Sequence, residues 1–136
     1  MNTKLLTAAA ALLMSVVWPA LAADVSPQAL TSINEMMNRI VRPTSDVVFY
    51  VAAEAPASDE AWLNVENSAL TLAESANLLL MSGYVRPGER WAQDVAAMRE
   101  AALAAFEAAK NRDVSLLEEL GNTLYESCES CHTANR

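Results

Sequence analysis

Residues 113–132 read DVSLLEELGNTLYESCESCH, and the spacing within them decides the fold. Asp113 is a good helix N-cap, because a carboxylate can accept an unpaired backbone N–H of the first turn. Leu117, Leu120, Leu124, Cys128 and Cys131 then recur at intervals of 3, 4, 4 and 3. That period puts all five on one face of a helix. Both cysteines are therefore expected on the core face of this last helix, not on a loop.

Working outward, the same period recurs upstream. Trp91, Val95, Met98, Ala102, Ala105 and Ala109 share a face over a helix from about Glu89 to Lys110, with Phe106 beside it. Lys110 and Arg112 suit its negative end. Trp62, Val65, Ala69, Leu72, Ala76 and Leu79 form another stripe, on a helix starting near Asp59 and ending at Ser82-Gly83. Asp59 and Glu60 favour its positive end, and glycine suits a left-handed cap. The segment from Gly83 to Gly88 is read as a loop. Trp62 and Trp91 read as core aromatics that could also wall the bundle end. The first helix is expected to start at Ser26, with Pro27 at its first position and a stripe of Leu30, Ile33, Met37 and Ile40. Pro43 should interrupt it, with Thr44 or Ser45 re-capping a continuation through Val47, Val48 and Val51. No stretch alternates with period two long enough for a sheet. The fold class is thus all-α: an up-down antiparallel four-helix bundle over residues 23–136.

Residues 1–22 read as a secretory signal peptide. Lys4 is the basic start, Leu5 to Val17 the apolar run, and Ala20-Leu21-Ala22 the small-x-small cleavage site. The run is too short to span a bilayer, so no stable membrane insertion is expected after cleavage. Export in a bacterial-style sequence implies the periplasm, an oxidising compartment. The 136-residue chain carries a net charge of −8. Losing Lys4 leaves eight basic against 17 acidic residues, or −9. No basic stripe exists to neutralise phosphates, so nucleic-acid binding is not expected.

The chain has two cysteines and one histidine. All three fall in Cys128-Glu129-Ser130-Cys131-His132, the C-x-x-C-H signature of c-type haem attachment. Cysteines at i and i+3 face one side of a helix, so each thiol can add across one haem vinyl group. His132 can then offer an imidazole nitrogen to the iron as proximal ligand. Such a site needs an apolar cavity between the first and fourth helices, beside these three residues. Other chemistries compete. A redox dithiol usually sits at a helix N-terminus within a βαβ pattern, whereas this pair sits at a helix C-terminus. A disulfide closing so short a loop constrains the unfolded chain little. Structural zinc takes four ligands, and three are present.

With this motif at the C-terminal end of a four-helix bundle, the chain resembles the class II c-type cytochromes, the cytochrome c′ family. The stretches PTSDVVF (43–49) and LAESANLLLM (72–81) are similar to a proteobacterial branch of it. The resemblance implies one covalent haem c and a role in one-electron transfer with periplasmic redox proteins, not in enzymatic catalysis. It equally admits binding of nitric oxide or carbon monoxide at an open distal site. A haem-free thiol–disulfide protein is the reading from outside the family. Low-spin relatives take a distal methionine from the first helix, and Met37 fills that role here, with Met36 the alternative. Met81 and Met98 read as packing or surface. Some relatives carry a basic residue four positions after the haem histidine, matched by Arg136. An aromatic residue often precedes it, where this chain has Asn135. Relatives also form homodimers through their first two helices.

Overall fold

A computed structural model describes residues 26–135. The signal-peptide reading of residues 1–22 and the Arg136 assignment lie outside them. Among the described residues every regular element is helical: α1 (Ile33–Met36), a π-helical segment (Met37–Val41), α2 (Arg42–Tyr50), α3 (Asp59–Leu78), α4 (Glu89–Lys110) and α5 (Val114–Ala134). The first three run on without a break, so the described residues form four helical rods. Among the described residues no helix is long and apolar enough to cross a membrane.

Neighbouring rods run antiparallel. Trp91, at the start of α4, donates its indole N–H to the Leu79 carbonyl just past the end of α3, at 3.0 Å. At the other end of that pair, Arg112 reaches Asp59 at 2.7 Å. The start of α4 meets the end of α5 through Asp94 and Ser130. The first rod and α5 oppose each other through the rings of Phe49 and Tyr125, edge to face at 6.4 Å. These pairings make an antiparallel four-helix bundle.

The stripes of α3 and α4 are buried as expected, from Trp62 to Leu79 and from Trp91 to Ala109. Their alanines let the two helices approach closely. Ser58 caps α3 through its hydroxyl, which accepts from Ala61 N at 3.1 Å. Asp113 caps α5 in the same way, accepting from Leu116 N at 2.9 Å. The last regular residue of α3 is Leu78, and Gly83 lies beyond it in a turn at φ +102°. Its missing Cβ leaves room for Ala29, since a Cβ there would meet Ala29 Cβ at 2.8 Å. Tyr84, in the segment read as a loop, is buried and belongs to the core.

The first rod departs from expectation twice. It starts at Ile33, not Ser26, and its cap is Ser32, whose hydroxyl accepts from Glu35 N at 3.2 Å. Ser32 and Glu35 have the spacing of a capping box, a stronger stop than Ser26-Pro27 offered. Leu30, expected in the stripe, lies before the helix and is exposed. Secondly, Pro43 does not interrupt the rod. Proline has no N–H, and in a regular α-helix its ring collides with the carbonyl four residues back. The π segment opens the preceding turn, with Arg42 N–H donating to the Met37 carbonyl. Thr44 is not a cap. Its hydroxyl donates back to the carbonyls of Ile40 and Val41 at 2.7 and 3.0 Å. Ser45 likewise donates to Arg42 O at 3.0 Å. The extra residue in the turn shifts the register. Met36, Val41, Ser45 and Val48 become the buried face, while Ile33, Met37 and Ile40 flank it half-buried.

Candidate functional site

α5 carries the motif in its last two turns. Its buried face runs Leu117, Gly121, Leu124 and Ser127. Cys128 and Cys131 sit one step round from that line. Both are free thiols and half-buried, at the wall of the core and not within it. The reason is local: Ser127 takes the inward position, its hydroxyl satisfied by Leu124 O at 2.7 Å. His132 is exposed.

The thiols face open space. A cavity of about 290 Å³ lies between the first rod and α5, floored by Val95 and Met98 of α4. Cys128, Cys131 and His132 line it from α5, and Met37, Val41 and Phe49 from the first rod. A second cavity of about 300 Å³ adjoins it, walled by Ile33, Trp91 and Arg86. Met37, Cys131 and His132 border both. Together they form a mostly apolar cleft of the size that small-molecule cofactors occupy, in the place that the motif required. Of the two methionines, Met37 faces this cleft and Met36 is packed into the core at 2 % exposure. Met98 is buried packing that also floors the cleft, and Met81 packs half-buried against the core. Trp91 walls the second cavity, whereas Trp62 is ordinary core.

Burial pushes the Cys128 thiol pKa up, against a smaller lowering by its hydrogen bond with Ser127. Burial also raises that of Cys131, and the neighbouring Asp94 carboxylate adds to the rise. A helix N-terminus would act the other way. The pair is therefore poorly suited to the thiolate chemistry of a redox dithiol. Among the described residues no group of three or more His, Cys, Asp or Glu side chains could hold a metal ion unaided.

Sequence reading missed Asp94. Asp94 is 5 % exposed and borders the cleft. Arg90 Nε stands 3.0 Å from both of its carboxylate oxygens. Ser130, inside the motif, donates to Oδ1 at 3.0 Å. Asn135 donates to Oδ2 at 3.1 Å and to the Cys131 carbonyl at 3.0 Å. Arg90 also donates to the Ser130 hydroxyl. Its position between Trp91 and Met98 at helical spacing was the available signal. In comparisons with known proteins, no family model, curated protein or solved structure matches the chain.

Proposed function

We propose that this chain is a c-type cytochrome that carries one electron at a time between periplasmic redox proteins. The observation that carries the reading is the cleft bordered by Cys128, Cys131, His132 and Met37, which are the thiols, imidazole and thioether such a haem site uses. The donor set fits haem c. Both cysteines lie on one side of α5, protonated and facing apolar space. Each S–H can add across a vinyl C=C, the sulfur bonding one carbon and the proton ending on the other, with no net oxidation. His132 and Met37 are the side chains that would hold the haem iron. When bound, haem supplies an iron that takes up and releases a single electron.

The chain's own residues do the rest. Val41, Val95 and Met98 give one wall of the cleft an apolar lining. The exposed edge at His132 and Tyr125 leaves the site close to solvent, where a redox partner can approach. No nucleophile or acid–base pair for turnover is assigned, so the proposal is a carrier and not an enzyme. The family resemblance supports export to the periplasm and a homodimer through the first rod and α3. A visible spectrum of the protein, produced with the haem-attachment machinery, tests the reading. A closed low-spin spectrum is expected. High-spin ferrous haem that takes up carbon monoxide would replace electron transfer by gas binding, and absence of haem would leave the thiol reading.

A further inference from the structure

We propose that Asp94 is the positioning residue of this site. Its buried carboxylate clamps the last turn of the motif helix to α4, and its negative charge holds the bound iron toward the oxidised state. The proposal rests on haem attachment at the motif.

The clamp is visible in the bonding. Asp94 is reached from 36 and 41 residues away in sequence, by Ser130 and Asn135. Those two residues straddle Cys131 and His132. Asn135 divides its amide between Asp94 and the Cys131 carbonyl, so the carboxylate fixes the turn bearing both groups. A buried carboxylate demands such donors, because leaving it unpaired costs more than an exposed helix end can return. Asn135 stands where relatives of the cytochrome c′ type often carry an aromatic, and here its amide has a specific acceptor.

The charge argument is separate. Asp94 is buried and borders the same cleft as Cys131 and His132. Ferric iron carries one more positive charge than ferrous iron. A carboxylate at the cleft wall therefore stabilises the ferric form and lowers the reduction potential. Arg90 opposes this, but its side chain is 57 % exposed against 6 % for Asp94. Solvent screens the guanidinium more than the carboxylate.

The test uses the haem-loaded protein with Asp94→Asn, Asp94→Ala and Arg90→Gln, read by potentiometric titration and by amide exchange over residues 130–135. Asp94→Asn should shift the ferric/ferrous equilibrium about tenfold toward ferrous, ~59 mV upward for a one-electron couple. Arg90→Gln should move the potential downward by less. Asp94→Asn keeps one of the two acceptor oxygens and should speed amide exchange less than Asp94→Ala, which should speed it at least tenfold. Potentials that do not move, or that move in the same direction in Asp94→Asn and Arg90→Gln, would overturn the proposal. So would unchanged exchange in Asp94→Ala. If Asp94→Ala does not fold, the opposed shifts of the other two variants decide. If wild type attaches no haem, the cytochrome reading fails by itself. Amide exchange in the haem-free chain then decides whether Asp94 clamps the turn.

Discussion

Met36 and Met37 are adjacent in sequence and opposite in environment. Met36 fills the core, so Met36→Ala should cost about 2–5 kcal/mol in chemical denaturation without altering the visible spectrum. Met37 borders the cleft, so Met37→Ala should convert a low-spin spectrum to high-spin and cost less stability. An unchanged spectrum would remove Met37 as ligand. The cysteines make a second prediction. Their thiols are held protonated by burial. At pH 8 the folded, haem-free chain should therefore react with iodoacetamide more slowly than the urea-unfolded chain. The sign of the linkage follows: raised thiol pKa values mean that the folded state retains protons the unfolded state has released. This contribution to stability is present below the unfolded thiol pKa and is lost as pH rises through the folded one.

At the scale of elements, the turn after α3 is the most demanding backbone. Gly83 sits at φ +102°, with Ala29 where a Cβ would go. Gly83→Ala should destabilise by about 1–3 kcal/mol, measured as a lower denaturation midpoint, because strain and collision act together. Asp113→Ala removes the cap of α5 and should cost about 1 kcal/mol. These helices were legible because their signals are local. Caps, dipole-compatible charges and a 3.6-residue stripe all lie within a few turns of one another. Glu89 and Lys110 bound α4 as its sequence indicated. The first rod departs from its local signals. Proline argued for a break, and the break was absorbed by a π turn whose hydroxyl support comes from Thr44 and Ser45. No periodicity rule for a regular α-helix locates that extra residue.

At the scale of the molecule, the bundle is built around a contrast in packing. On α3 and α4, Ala69, Ala76, Ala102 and Ala105 are fully buried in the core. Ala102→Leu should therefore cost about 1–3 kcal/mol by overpacking. Between the first rod and α5 the packing opens into the cleft. Net charge acts at this scale too. With 17 acidic residues against nine basic, association with a basic redox partner should slow as salt rises from low to physiological ionic strength. Stopped-flow rates independent of salt would argue for an uncharged docking face.

The sequence by itself determined the helical class, the stripes of α3, α4 and α5, and the grouping of two thiols and one imidazole within five residues. Each of these is written in neighbours along the chain, where backbone geometry alone sets who shares a face. Only the tertiary structure decided that Met37 borders the cleft while Met36 does not, that Ser127 and not the cysteines points inward, and that Asp94 is buried. Those outcomes depend on partners far apart in sequence. The π turn resets the register of the first rod against α5, and the buried Asp94 is paired not only with Arg90 on its own helix but with Ser130 and Asn135 of the distant α5 end.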